Sequence, residues 1–286
     1  MNHVTCGGAD IPKLGLGTWQ NTGPTCRETV RNALELGYQH IDTAEAYENE
    51  QAVGEGIAAA DVDREDLFVT TKVWRSNLRD GDLRTSVRDS LERLGLDYVD
   101  TVLIHWPHPR VPAAEPLAAL ADLRSEGVLE HIGVSNFTRS QLEEAIEVCE
   151  APVVVDQVLY HPYRDQSRLR SFCQEQDVAL TAYSPLARGD AVDDDLLRRI
   201  GERHDRTAAQ VALRWLVQQR NVVAIPKSTS REHLADNLAV FDFSLSETEI
   251  ERIDGHTSGL RTVLRSRLPS LVRHFPVCTR VGRVNR

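Results

Sequence analysis

The chain has 286 residues and a formal net charge of −10, with 41% hydrophobic and 27% charged residues. This composition is ordinary for a globular protein, and the acidic balance argues against nucleic acid as a partner. The five cysteines are odd in number and form no C-x-x-C pair, which argues against a disulfide framework or a structural zinc site. Without a signal peptide or a membrane-length apolar run, we expect no membrane contact and a cytoplasmic location.

Apolar runs typical of buried strands alternate along the chain with amphipathic stretches typical of helices. The predicted strands cover residues 13–19, 38–42, 67–73, 98–104, 131–134, 153–158, 178–183 and 222–226. The predicted helices lie near residues 24–36, 48–60, 82–94, 114–126, 138–149, 166–176, 207–219 and 231–239. Eight β/α repeats in about 250 residues is the size of one (β/α)₈ barrel. We therefore predict an α/β protein, a single-domain TIM barrel over residues 1–255.

The segment 256–286 departs from this pattern, because it contains seven arginines and neither aspartate nor glutamate. Three interpretations are open. The segment is a basic arm on an acidic body, a disordered end, or an out-of-frame continuation of a GC-rich gene. We favour the last two together.

Lysine is scarce, with Lys13, Lys72 and Lys227 set against thirty arginines. An acidic, lysine-poor chain favours adaptation to high salt. Since Lys72 and Lys227 both fall in the motifs described below, their retention indicates that an ammonium group is needed there.

Four polar residues follow or end successive predicted strands: Asp42 and Tyr47 in "HIDTAEAYENE", Lys72 in "LFVTTKVW" and His105 in "YVDTVLIHWP". If the strands are parallel, these side chains gather at one end of the barrel, where such folds place their chemistry. Each residue alone has a structural explanation, such as a turn cap, a half-buried ring, a surface ion pair or a core histidine. Together they favour proton donation.

A free tyrosine has a pKa near 10, too high for efficient proton donation at neutral pH. We expect a nearby ammonium group to lower that pKa, a carboxylate to hold the ammonium, and an imidazole to orient a carbonyl oxygen. The predicted chemistry is protonation of a carbonyl oxygen while another group attacks the carbon.

The chain resembles the aldo-keto reductase superfamily, and its short microbial sugar- and aldehyde-reductase branch in particular. The resemblance runs from about residue 10 to residue 254 through "LGLGTW", "HIDTAEAYENE", "TTKVW", "IHWP", "IGVSNF", "DQVLYHP", "AYSPLARG", "IPKS" and "DNLAVFDFSL". It implies a (β/α)₈ barrel that reduces carbonyls with NADPH and without metal. Tyr47 would be the general acid, Lys72 and Asp42 would tune it, and His105 would orient the substrate.

The resemblance also implies a cofactor site built by the barrel itself, because no complete G-x-G-x-x-G motif occurs. The implied cofactor residues are Gly17, Thr18, Trp19, Ser135, Asn136, Gln157, Tyr183, Ser184, Leu186, Lys227, Ser228, Asp236 and Asn237. Of these, Ser135, Asn136 and Gln157 would hold the carboxamide, and Tyr183 would stack on the nicotinamide. Lys227 and Ser228 would meet the 2′-phosphate. Trp19, Trp74 and Trp106 would line the substrate pocket.

Two positions depart from the family pattern. His233 stands where an arginine is usual, and Arg231 is the nearby candidate to compensate for it. Because histidine is mostly neutral at pH 7, we expect a weaker preference for NADPH and some use of NADH. Asp156 stands where an asparagine is usual, and a carboxylate facing the nicotinamide would favour the oxidised ring.

The leading interpretation is a monomeric NAD(P)H-dependent reductase of aldehydes, ketones and sugar-like carbonyls. Two others are considered. One is a non-catalytic NADP(H)-binding barrel that acts as a cofactor sensor or regulatory subunit. The other is a metal-dependent barrel hydrolase or isomerase, which needs several carboxylates and histidines around one ion.

Overall fold

The structure, a computed structural model, describes residues 2–257. Eight parallel strands lie in chain order in one sheet, and each is followed by at least one helix. The ten strands of the described chain are β1 His3–Cys6, β2 Ala9–Pro12, β3 Leu16–Gly17, β4 His40–Asp42, β5 Phe68–Val73, β6 Val99–Ile104, β7 Leu129–Ser135, β8 Val153–Leu159, β9 Ala179–Tyr183 and β10 Val222–Ile225. The predicted (β/α)₈ barrel is confirmed.

The sheet closes between its first and last strands. The residues that enter β3 run alongside β10, with Leu14 paired to Ala224. Gly15 N–H donates to the Ala224 carbonyl at 2.9 Å, and Gly17 N–H donates to the Pro226 carbonyl at 3.0 Å. Closure leaves no open edge, so all eight carboxyl ends surround one mouth.

Ten α-helices are found among the described residues. They are α1 Gly23–Glu35, α2 Glu50–Ala58, α3 Asp80–Leu94, α4 Ala114–Ser125, α5 Arg139–Val148, α6 Ser167–Glu175, α7 Asp195–Gly201, α8 Ala208–Val217, α9 Arg231–Leu238 and α10 Glu247–Thr257. Eight were predicted to within a few residues. Within residues 2–257, no helix has the length and apolar character needed to cross a membrane.

The sequence prediction missed α7 and α10. Both helices begin with a capping residue that is recognisable in the sequence. At the start of α7, the Asp194 side chain accepts hydrogen bonds from the N–H groups of Leu196 and Leu197. Ser246 and Glu249 form reciprocal side-chain to backbone bonds at the start of α10. The predicted arginine-rich segment 256–286 lies outside the described residues except for its first two.

The N-terminal hairpin of β1 and β2 was also missed. Its strands pair antiparallel around Gly7 and Gly8, which have left-handed φ values of 56° and 88°. The hairpin contributes Val4 and Ile11 to an apolar cluster shared with barrel strands, and Gly7 N–H donates to the Asp177 carboxylate just before β9. It therefore closes the barrel at the amino ends of the strands, opposite the predicted site.

A close contact between α2 and α3 depends on Gly54. A Cβ on Gly54 would lie 2.0 Å from the carbonyl oxygen of Leu94, whereas a Cβ on Gly81 would meet nothing within 4 Å. The backbones of the two helices therefore approach each other where only a hydrogen atom fits.

We expect Gly54→Ala to destabilise the protein by about 2–3 kcal/mol, because the Leu94 carbonyl must move to admit the methyl group. Gly81→Ala lies in α3 with open space around it, and we expect a gain of about 0.5–1 kcal/mol from helix propensity. Urea unfolding of both variants measures the difference. Equal stability of the two would contradict the close contact.

Candidate active site

The four predicted catalytic side chains meet at the mouth of the barrel. Asp42 ends β4, Lys72 is the second-last residue of β5, and His105 directly follows β6. Tyr47 ends a short 3₁₀ turn, residues 45–47, that follows β4. The parallel arrangement brings all four to the same end of the sheet, as the sequence predicted.

Lys72 is the hub of this group. Its side chain is fully buried, and Nζ donates to Asp42 Oδ1 at 2.6 Å, to the Thr43 carbonyl at 2.8 Å and to the Tyr47 hydroxyl at 3.3 Å. All three ammonium hydrogens have acceptors, which offsets the cost of burying the charge. The second Asp42 oxygen accepts from Gln157 Nε2 at 2.7 Å.

The protonation states follow from burial. Burial, and then the Asp42 carboxylate, raises the pKa of Tyr47 well above 10, so the phenol keeps its proton at neutral pH. This direction is opposite to our expectation, because desolvation outweighs the ammonium group. Burial lowers the pKa of Lys72, and Asp42 opposes that change. Burial, and then Lys72, lowers the pKa of His105 well below 6.5, so its imidazole is neutral.

Aromatic rings surround the imidazole. The His105 ring lies edge-on to Tyr47, with 5.7 Å between ring centroids, and edge-on to Trp74 at 5.0 Å. Trp19 and Trp106, which follow β3 and β6, are partly exposed at the same end of the barrel. The predicted substrate-binding tryptophans therefore follow three different strands around the catalytic group.

Glu45 is a residue that sequence reasoning missed. Its carboxylate Oε1 accepts from the backbone N–H of Trp74 and from Asn77 Nδ2, the latter at 3.2 Å. Glu45 thus ties the turn that carries Tyr47 to the loop that carries Trp74. Nothing in the sequence distinguishes this glutamate from the others in "TAEAYENE".

The predicted carboxamide-binding residues form one network with the catalytic group. Ser135 Oγ donates to the Gln157 carbonyl at 2.8 Å, and Asn136 Nδ2 donates to the His105 carbonyl at 3.1 Å. The Tyr183 hydroxyl donates to Asn136 Oδ1 at 2.9 Å. Asn136 has a left-handed φ of 62°, which turns the chain sharply where β7 ends.

The loop after β9 bends repeatedly. Ser184, Ala187 and Arg188 have positive φ values of 48°, 49° and 59°. Leu186 lies within this loop, and the Arg188 guanidinium lies 5.8 Å from the centre of the Trp19 ring. The loop after β9 and the Gly17–Trp19 segment after β3 thus face each other across the mouth.

The last four of the predicted cofactor residues follow β10. Lys227 is exposed and Ser228 partly exposed, and the Ser230 side chain caps α9 by accepting from His233 N–H at 3.4 Å. Asp236 and Asn237 belong to α9, and Asn237 is buried with its side chain bonded to Tyr38.

Arg231, the residue expected to compensate for His233, is bonded to α1. Its guanidinium donates to Asn32 Oδ1 at 2.8 Å and to Glu35 Oε2 at 3.0 Å, both on α1. Its side chain therefore links the start of α9 to α1.

Residues 13–258 match the model of the aldo/keto reductase family. The chain belongs to this family. It is 41% identical over 248 residues to a glyoxal reductase of Bacillus subtilis, covering 86% of this chain and 89% of that protein. It is 39% identical over 246 residues to a methylglyoxal reductase, DkgB, of Escherichia coli O157:H7, covering 85% of this chain and 92% of that protein.

A solved structure described as a putative 2,5-diketo-D-gluconic acid reductase B is similar in fold and sequence. It superposes with a TM-score of 0.88 at 43% identity, covering 90% of this chain and 91% of that one. Aldo/keto reductases are oxidoreductases that reduce carbonyls. Membership therefore confirms the predicted reaction class, and nothing supports the non-catalytic alternative.

No metal centre is evident in the part of the chain that the structure describes, since no group of three or more His, Cys, Asp or Glu side chains could hold an ion there. His105 and His108 do not gather carboxylates around them within residues 2–257. The metal-dependent hydrolase interpretation finds no support in this aldo/keto reductase.

Asp156 faces away from the active site. It precedes Gln157 on β8, and neighbouring residues of a strand point to opposite sides. Since Gln157 reaches Asp42 inside the barrel, Asp156 points outward toward the helices, where it is fully buried near Cys173 and the Phe137 N–H. The expected effect of Asp156 on the nicotinamide is therefore wrong.

Burial raises the pKa of Asp156 well above 3.8, and the Phe137 N–H only partly opposes this. A carboxyl whose pKa is higher in the folded state loses stabilising effect as pH rises above its unfolded value. We expect Asp156→Asn to stabilise the protein by about 1–3 kcal/mol near pH 8 and by much less near pH 5. Urea unfolding across this range measures it.

The control is Asp89→Asn, because Asp89 is exposed on α3. A gain from Asp156→Asn that does not vary with pH would show that the carboxyl is not held protonated by burial.

Proposed function

We propose that this chain reduces small aldehydes, ketones and 2-oxoaldehydes, including sugar-like carbonyls, to alcohols, with Tyr47 as the proton donor. The observation that carries the proposal is the buried Lys72 ammonium, which donates to both Asp42 and Tyr47 beside the neutral His105. The relatives named as glyoxal and methylglyoxal reductases support the choice of small carbonyl substrates.

The described residues fit a nicotinamide cofactor. Ser135, Asn136 and Gln157 present hydroxyl and amide groups beside the catalytic group, which suits a carboxamide that both donates and accepts. We propose that these residues, with Tyr183 as the stacking ring, hold NADPH.

The chain's own residues handle the proton. When bound, NADPH supplies the hydride that the carbonyl carbon accepts. Neutral His105 donates a hydrogen bond to the carbonyl oxygen, and Tyr47, protonated at neutral pH, gives that oxygen its proton. Lys72 then donates to the phenolate, and Asp42 keeps the lysine charged. The tryptophan walls exclude water from the reacting atoms.

Tyr47→Phe removes the proton donor and keeps the ring. We expect kcat for methylglyoxal to fall about 100- to 10,000-fold, because general acid catalysis contributes that much. Loss of NADPH absorbance measures turnover, and quenching of tryptophan fluorescence measures cofactor binding, which we expect to be unchanged.

Tyr98→Phe is the matched control. Tyr98 precedes β6 at the amino-terminal end of the barrel and packs under Arg64, so its hydroxyl has no part in the reaction. If Tyr47→Phe keeps the wild-type kcat, another group donates the proton and the proposed mechanism fails.

We further propose that NADPH preference is weak and NADH is accepted, because His233 lacks the permanent charge of arginine and Arg231 is held on α1. His233→Arg is expected to raise kcat/KM for NADPH about tenfold and to leave NADH nearly unchanged, since a charged contact to the 2′-phosphate is worth about one power of ten or more. Initial rates with both cofactors measure the ratio.

Arg231→Ala serves as the control and should leave the cofactor ratio within about twofold, because the cofactor site does not use that side chain. A ratio that shifts with Arg231→Ala and not with His233→Arg would reverse the assignment.

A further inference from the structure

A cleft of about 290 Å³ opens between residues 75–79 and residues 108–111. The first segment follows β5, which carries Lys72, and the second follows β6, which leads to His105. Both segments leave the carboxyl ends of their strands, so the cleft lies at the mouth of the barrel. The proposed mechanism makes no use of it.

The cleft is lined by Arg75, Arg79 and Arg110 together with His108. Arg79 is paired with Glu115 at 2.8 Å. Within residues 2–257, the guanidinium groups of Arg75 and Arg110 form no salt bridge. The cleft therefore holds two uncompensated positive charges in a protein whose net charge is −10.

His108 adds a directed donor to this cleft. Its Nδ1 accepts the backbone N–H of Arg110 at 3.0 Å, so the neutral ring carries its proton on Nε2. Leu78 and Val111, which are 2% and 8% exposed, form an apolar floor. Two guanidinium groups and an N–H above an apolar floor match an anion carried on an organic molecule.

One contact chain joins the cleft to the reacting atoms. The Arg75 guanidinium lies 5.6 Å from the centre of the Trp74 ring, and that ring lies 5.0 Å from the His105 ring. The Trp74 indole therefore contacts both the imidazole and the guanidinium.

We propose that this cleft binds the carboxylate or phosphate group of an anionic carbonyl substrate whose C=O lies between Tyr47 and His105. The proposal rests on the proposed reductase function and adds the substrate class. In an acidic protein, this local positive field also attracts an anionic substrate to the mouth.

The test compares 4-carboxybenzaldehyde with its neutral methyl ester, which has the same aldehyde and nearly the same shape. We expect the double variant Arg75→Ala/Arg110→Ala to lower kcat/KM for the carboxylate about 10- to 100-fold and for the ester less than about twofold. The control is Arg220→Ala, because Arg220 is exposed before β10 at the other end of the barrel. This variant should change kcat/KM for neither substrate.

A second arm separates a substrate group from a free anion. Inorganic phosphate should compete with the carboxylate substrate, raising its KM and leaving kcat unchanged. If phosphate instead changes kcat and the double variant abolishes that effect, the cleft binds a free anion and the proposal is overturned. Equal losses for acid and ester in the double variant also overturn it, because they show a structural role.

The two proposals fail in different ways. A wild type that reduces methylglyoxal and the ester, but whose turnover of the carboxylate is unaffected by the double substitution, overturns the cleft assignment alone. A wild type that reduces no carbonyl overturns the proposed function, and the cleft assignment falls with it.

Discussion

The buried ion pair between Lys72 and Asp42 is the interaction on which the rest of this structure depends. With Nζ and Oδ1 2.6 Å apart and neither side chain more than 2% exposed, the pair is stable only while every other donor and acceptor is matched. Thr43, Tyr47 and Gln157 supply those partners. Removing one member of such a pair typically costs about 3–5 kcal/mol, so the pair also holds β4 to β5.

Strand alternation decides which residues face the candidate active site. Asp42 is in register with Thr70 on β5, and Lys72 stands two residues further on, so its side chain lies on the same face. A shift of one residue would turn Lys72 into the helical layer. The same rule separates Gln157, which joins the catalytic network, from Asp156, which is buried among helices. Adjacent polar residues on one strand thus have unrelated roles.

The sequence predicted the barrel and the gathering of Asp42, Tyr47, Lys72 and His105 because both depend on period and strand order. Every residue of β5 and β6 is buried, and such runs stand out from the amphipathic helices between them. The N-terminal hairpin was missed although Gly7 and Gly8 mark its turn, since only the packed barrel shows what it covers. The pKa of Tyr47 was misjudged because desolvation depends on depth, which sequence spacing does not give. The role of Glu45 depends on two contacts with a distant loop.

The scarcity of lysine has a practical consequence for chemical labelling. Lys72 is fully buried, and Lys13 is partly buried with its ammonium group held by the carbonyl oxygens of Val217 and Gln219 at 2.8 Å each. Lys227 is the one lysine of the sequence that stands exposed. Amine-acylating reagents therefore have a single accessible lysine besides the N-terminus, and it lies in the region proposed for the cofactor phosphate. The extent of its modification reports occupancy of that region, and immobilisation through lysine would attach the protein there.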